Sequence, residues 1–515
     1  MQVKQKQAFW ILPLAGLLFA ALITAGIILK TSINSSPKAN PTPKKMPLSV
    51  GPAFDYPPDK TDPIQELILL QNRQFDELVT LLEGHQKEFE QDFRTEFTVY
   101  DDSEAFAIAG DDLLPYLNEW VSQKPGASAY LARAAYYKRH AWDSRGAGYA
   151  SETSKQQFAD MEKFFKLEEN DCKTALTLNP NMMPAYGYLE EVAMARGSDA
   201  QAQEWFNAGS KKFPYSIVLA MFHMNTLTPR WGGSYGAMEE FADRCDKLAS
   251  QNQNLRVIRG LIAADRALDF FNSNQNQEAV EQYTEALKYG EFYGSLVGRG
   301  YCLIQMGKYP EALSDLERAL KLRPHSMKPL YLQAATLIFL NRYDEGINKY
   351  TLAMQIDPQN DDVVEWLNWS AKVMAHQALN LYQQDGKEDA ALQLVNKAIA
   401  LDPNEAGCYQ VRAIMYYYSK KPDPALVDVQ KAIALNSSYF EAYQLLGNIY
   451  FDRKQWDDVI TTATTCIKLK PKNPHPYVDR AKAYRQKNNL EAATADLKTA
   501  CNLGFRTACL LLKKP

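Results

Sequence analysis

The chain has 515 residues, 46% hydrophobic and 23% charged, with a formal net charge of −4. That length exceeds one ordinary core and asks for about three domains or a repeat array. The composition excludes a largely disordered chain, and the lack of a basic excess argues against nucleic-acid binding.

Residues 8–29, "AFWILPLAGLLFAALITAGIIL", form a run of 22 without a charge. As a helix this is about 33 Å long, enough for a hydrocarbon core of about 30 Å. The run is longer than a cleaved signal peptide usually carries and lacks a clear A-x-A site, so residues 1–30 are expected to be an uncleaved transmembrane anchor, with a long signal peptide as the alternative. Lys4 and Lys6 precede the span, and Lys30, Lys38, Lys44 and Lys45 follow it. The positive-inside count leans to a cytoplasmic body, whereas a very short basic tail before a first span favours an exported one. The signals conflict, and the extracytoplasmic (periplasmic) body is the expectation carried forward. Residues 31–63, with "SSPKANPTPKKMP" and "DYPPDKTDP", lack apolar periodicity and read as an extended tether.

From residue 64 onward helical spacing dominates. Residues 66–85, "ELILLQNRQFDELVTLLEGH", read as a helical hairpin, and "EFTVY" at 96–100 is the one mild strand candidate. "ASAYLARAAYYKRHAW" (127–142) and "LEENDCKTALTLNP" (167–180) read as partner helices separated by a Gly/Ser-containing insertion. Pro180 and Pro214 lie 34 residues apart, with Tyr186, Ala202 and Phe206 between them.

"TPRWGGSYGAMEEFA" (228–242) contains Gly232-Gly233-Ser234-Tyr235-Gly236, a match to the G-x-S-x-G nucleophile elbow. An elbow needs a preceding strand, but "IVLAMFHMNTLTPRW" has the spacing of a helix ending before Pro229. The expected structure is a helix-to-helix turn with Ser234 as N-cap. A further reading is an anion site built from Arg230, Gly233 and Ser234 at the helix start.

Beyond residue 250 small residues recur at Ala279, Ala312, Gly346, Ala391, Ala425, Val459 and Ala493, at intervals of 33, 34, 45, 34, 34 and 34. A second series, Ala286, Ala319, Ala353, Ala398, Ala432, Cys466 and Ala500, keeps step seven residues later. Helix stops follow at Pro324, Pro358, Pro403, Ser437 and Pro471, and first helices carry Gly300, Ala334, Ala413, Gly447 and Ala481. Tyr409, Tyr443 and Tyr477 precede these markers, and Tyr416, Tyr450 and Tyr484 follow them. Small residues let antiparallel helices approach, aromatics fill the wider gaps, and proline stops the second helix.

At these residues the sequence resembles the tetratricopeptide repeat family, most plainly in "SLVGRGYCLIQMGKYPEALSDLERALKLRP" at 295–324. The resemblance implies an all-α, right-handed superhelical solenoid of about seven helical hairpins over residues 251–505. One unit has 11 extra residues, assigned to a lengthened first helix within "NDDVVEWLNWSAKVMAHQALNLYQQ" (360–384). Residues 506–515 are expected to form a capping helix. Residues 64–250 read as a diverged helical domain of the same kind. There "WDSRGAGYA" and "TPRWGGSYGAMEEFA" resemble an uncharacterised bacterial family found before such arrays.

In this family the first helices line a concave groove that takes peptides or helices. Aligned with it, the candidate groove residues are Tyr301, Tyr331, Phe339, His376, Asn380, Gln383, Tyr417, Gln444, Asn448, Phe451, Lys482 and Arg485. Asn448, Lys482 and Arg485 partly resemble a clamp for a C-terminal carboxylate, although Gln444 and Val478 depart from it. The seven cysteines, Cys172, Cys245, Cys302, Cys408, Cys466, Cys501 and Cys509, show no C-x-x-C and read as buried thiols. No metalloprotease, Walker or dinucleotide motif occurs, so no cofactor, metal or catalysis is expected. The expected protein is a membrane-anchored scaffold for another protein. The alternatives are an envelope hydrolase involving Ser234, Arg230 or His140, or a ligand-sensing module at the Arg230–Ser234 turn.

Overall fold

The computed structural model describes residue 57 and residues 59–108, 110–146 and 152–512. The candidate span 8–29 and nearly all of the tether lie outside the described residues. Among the described residues there is no strand, no helix long and apolar enough to cross a membrane, and no group of side chains suited to a metal ion.

Seven antiparallel helix pairs follow one another from Val257–Asn272 with Asn276–Ala286 to His475–Gln486 with Leu490–Asn502, and helix Arg506–Leu511 covers the last pair. We number these pairs one to seven. The small residues sit between the helices. Ala279, Ala312, Ala391, Ala425, Ala319, Ala353, Ala398, Ala432 and Ala500 have no more than 1% of their surface exposed. At Gly346 even a Cβ would lie 2.8 Å from the Ala334 carbonyl oxygen, which explains why glycine stands where other pairs carry alanine.

Each first helix ends on a residue in the left-handed region: Asn274, Gly307, Asn341, Gly386, Lys420, Lys454 or Asn488. In the second pair the Lys308 and Gly307 N–H groups donate to the Leu303 and Ile304 carbonyls, both at 2.9 Å, which satisfies helix-end acceptors and reverses the chain. The tyrosines also have a definite task. Tyr409 and Tyr477 donate their hydroxyls to the Pro403 and Pro471 carbonyls at 3.2 Å, and Tyr186 does the same to Pro180 at 3.1 Å. The hairpin Met183–Ala195 with Asp199–Lys212 is therefore joined to its predecessor as the array units are.

An Arg–Asp clamp recurs as well. Arg299, Arg412 and Arg480 on first helices grip Asp315, Asp428 and Asp496 on second helices with paired hydrogen bonds of 2.7–2.8 Å. Each arginine also donates to the previous pair, reaching Thr284, Asn396 or Thr464. Arg133 repeats the arrangement with Asp171 and Asn118 in the N-terminal region. One guanidinium thus links three helices through its planar fork of donors.

Three expectations are corrected. "EFTVY" lies in helix Glu96–Glu104, not in a strand. There the buried Glu96 carboxylate accepts the Ser216 hydroxyl and the Ile217 and Val218 N–H groups, capping helix Ile217–Thr226, so tertiary contacts override the β propensity. Much of the insertion between the two expected partner helices is helical, because the second runs over Lys155–Leu178; residues 147–151 lie outside the described residues. Finally, Cys501 and Cys509 form a disulfide that ties the capping helix to the last pair, while the other five cysteines are free and buried.

The lengthened helix is Asp361–Tyr382, with 22 residues against 13 in Met327–Phe339 and in Ala406–Tyr418. It packs chiefly against its own partner, Glu388–Leu401, then along the first helices on either side, and only lightly against the second helix of pair three, Tyr343–Ile356. That second helix is also met by the N-terminal helix Pro63–Gln71, whose Ile64 joins the core of pairs two to five.

Candidate functional site

The first helices lie side by side and share one face, on which the lengthened helix has a dominant effect. Its Trp366 packs against Tyr331 of pair three and reaches Tyr301 of pair two, with ring centroids 6.2 and 5.8 Å apart. Trp369 stands edge-on to Phe339 at 4.4 Å and to Trp366 at 5.4 Å. The Tyr331 hydroxyl donates to Asp362 at 3.2 Å, and burial raises its pKa. Tyr301, Tyr331 and Phe339 therefore face the chain's own tryptophans, and this half of the shared face is filled from within.

His376, Asn380 and Gln383 lie toward the far end of the same helix. His376 is half-buried, which lowers its pKa and favours the neutral ring, whereas Asn380 and Gln383 are exposed.

Pairs five to seven differ. Tyr417 donates to Asp452 at 2.7 Å, linking neighbouring first helices. Beyond it a cleft of about 90 Å³ opens between Phe440–Asp452, Trp456–Leu469 and His475–Gln486. Gln444, Asn448, Phe451 and Lys482 all line it. Gln444 and Asn448 are one turn apart and present two amides. Phe451 is held edge-on by Trp456 at 5.2 Å, and Lys482 lies 3.1 Å from Asp479. Arg485 is directed elsewhere: it donates to the Leu511 carbonyl at 3.0 Å and anchors the cap. The structure thus gathers four of the sequence candidates into one cleft and separates Arg485, the third residue of the expected clamp, from them.

The G-x-S-x-G segment is a turn. Helix Ile217–Thr226 precedes it, Gly232 takes φ 96°, and the Ser234 hydroxyl accepts the Ala237 N–H at 3.2 Å as the N-cap of Tyr235–Leu248. A Cβ on Gly233 would collide with the Leu227 backbone. With a helix before the serine, no strand mounts it as an elbow requires. Arg230 is paired with Asp265 of helix Val257–Asn272, so its charge is answered within the fold. His140 packs against Tyr136 and Phe164, with ring centroids 4.1 and 5.5 Å away.

Two features of the N-terminal region escaped sequence reasoning. Trp142 and Trp231, from the two segments that carried the second resemblance, meet edge-on at 5.9 Å, and Arg145 lies over both rings. Behind them, the buried Lys138 contacts Glu104, and Tyr188 donates to the same carboxylate. The fully buried Glu168 has no hydrogen-bond partner among the described residues for either carboxylate oxygen. No spacing in the sequence signals this cluster, because charged residues on helices ordinarily read as solvated.

Stacked antiparallel helix pairs with an interior of alanine and a shared first-helix face define an α-helical repeat solenoid. The tetratricopeptide repeat pattern matches residues 295–326, and the chain is a tetratricopeptide-repeat protein. It is 27% identical over 125 residues to Hsp70-Hsp90 organizing protein 2 of Arabidopsis thaliana, covering 24% of this chain and 22% of that one. It is 31% identical over 104 residues to U-box domain-containing protein 70 of Oryza sativa subsp. japonica, covering 20% of this chain and 13% of the other. The chain thus spans less than a quarter of the length of these relatives. Among solved structures, a MamA protein is 24% identical, covering 35% of this chain and 92% of that one with a TM-score of 0.26. The fold assignment rests on the repeat itself.

Proposed function

We propose that this protein is a membrane-anchored, non-catalytic scaffold that receives a partner protein on the first-helix face of pairs five to seven. In this reading residues 1–30 anchor the chain, 31–63 tether it, 64–250 form a helical domain, 251–505 form the array and 506–515 cap it. The carrying observation is the convergence of Gln444, Asn448, Phe451 and Lys482 on one cleft, while the other half of the face is filled by Trp366 and Trp369. The amides suit a peptide backbone, the Phe451 ring offers apolar contact, and Lys482 favours an acidic or carboxylate-ended segment. The relatives named Hsp70-Hsp90 organizing proteins support a protein-binding role.

A photo-crosslinking residue at Gln444 should yield an adduct with a second protein in cells. One at Val427, 66% exposed on a second helix, should not. With the partner identified, Asn448→Ala combined with Lys482→Ala should weaken binding at least about tenfold, some 1.4 kcal/mol. No adduct at Gln444, or equal adducts at both positions, would remove the proposal.

The exported body is part of the same reading and is supported by the Cys501–Cys509 disulfide, since such bonds persist in oxidising compartments. If thiols are alkylated in cells before lysis under denaturing conditions, Cys501 and Cys509 should remain unmodified. Alkylation of both would place the body in a reducing compartment.

A further inference from the structure

The turn between pairs two and three, with Arg323 and His325, and Lys328 at the start of helix Met327–Phe339 face the N-terminal region across a cavity of about 330 Å³. Small-molecule sites begin at about 300 Å³ and favour seams between parts of a fold. The wall of this cavity is sorted by charge. The array contributes those three basic residues, and the N-terminal region contributes Asp59, Asp101 and Glu104. Each side has one residue of opposite sign, and both are engaged locally: Arg139 pairs with Asp143, and Asp357 accepts the Gln359 N–H and the Asn360 amide.

One pair closes the seam. Arg323 donates to Asp101 at 2.7 Å, and its guanidinium lies over Tyr100 and Tyr293 at 5.4 and 4.8 Å. No second ion pair among the described residues joins the two sides, although Arg323 and His325 lie near enough to Asp59 to oppose the effect of burial on its carboxyl. Among the described residues, exposed Lys328 makes no ion pair, and the buried His325 Nδ1 meets no hydrogen-bonding group. Asp59 accepts the Thr61 N–H at 3.0 Å, and burial raises its pKa. Glu104 is held from behind by Lys138 and Tyr188, yet keeps 26% of its side chain accessible. A ligand of one charge would answer one side only and face like charge on the other.

We propose that this cavity binds a small zwitterion, a free α-amino acid or a dipeptide, with its carboxylate toward Lys328 and His325 and its ammonium toward Asp59 and Glu104. Spanning the seam, such a ligand stabilises the docking of the N-terminal region on the array, because it binds the docked form alone. The site shares no residue with the cleft of pairs five to seven, so it stands independently of the partner-binding proposal.

The test is calorimetric titration of the full-length chain with the twenty amino acids and with L-alanyl-L-alanine, each beside its N-acetylated and C-amidated forms. At least one zwitterion should bind with a submillimolar Kd, and blocking either end should weaken it at least tenfold. The dipeptide arm separates a peptide ligand from a free amino acid. Lys328→Ala and Asp59→Asn should each weaken that ligand at least tenfold, while Lys498→Ala, on the last second helix, leaves it unchanged. No binding by any member of the panel, equal binding of blocked forms, or unchanged affinity in both cavity variants would overturn the proposal.

Discussion

Exchanging Arg299 for methionine should destabilise the array by about 3–5 kcal/mol, the usual cost of stripping one partner from a buried ion pair. Arg299 and Asp315 are 3% and 2% exposed, and their two hydrogen bonds are 2.7 and 2.8 Å long. Without the arginine, Asp315 keeps only the 3.1 Å contact from Arg318, and Thr284 of the previous pair loses its donor. Hydrogen exchange in helix Tyr293–Gln305 is the measurement of choice, because a repeat array need not unfold as one unit. The double variant Arg299→Met/Asp315→Leu should recover most of the loss, since removing both charges also removes their desolvation cost. A single variant costing less than about 1 kcal/mol would mean that the clamp is ornamental.

Glu168→Gln should stabilise the protein by about 1–3 kcal/mol near pH 8 and have little effect near pH 5. Glu168 is fully buried on helix Lys155–Leu178. Burial, then the nearby Glu191, raise its pKa well above the ordinary value, with Glu104 adding to the effect and Lys138 and Arg196 opposing it. The folded state therefore holds a proton that the unfolded state has released between the ordinary glutamate range and the raised value. Stability falls as pH rises through that window. The amide of the variant carries no such proton, so the difference between variant and native chain should grow from about pH 5 upward. Other groups tilt the absolute curve: burial raises Glu66 and Glu190, and it lowers His223 to about 3. The difference between the two proteins at each pH is therefore the quantity to read, from urea unfolding. A pH-independent difference would show that Glu168 is not the titrating group.

Much of the array was legible from spacing. The alanines at 33- and 34-residue intervals lie between helices, Tyr409 and Tyr477 mark the turns between pairs, and the extra residues lengthen one helix. A periodic sequence carries this information because each unit repeats one local packing problem with its nearest neighbours. The candidate site was legible only in part. Gln444, Asn448, Phe451 and Lys482 were brought together, but Arg485 was claimed by the cap, a contact that depends on where the chain turns after Asn502.

The sequence alone determined the class of fold, the number of helix pairs and the identity of the serine turn, since helix period, small-residue spacing and capping act within about one unit. Tertiary structure decided which half of the first-helix face stays open. It also closed the Cys501–Cys509 bond, paired Arg323 with Asp101 across 222 positions and buried Glu168 among other charges. Those outcomes depend on how far helix Asp361–Tyr382 overshoots and on which surfaces the N-terminal region then meets. Such long-range geometry leaves no period in the chain.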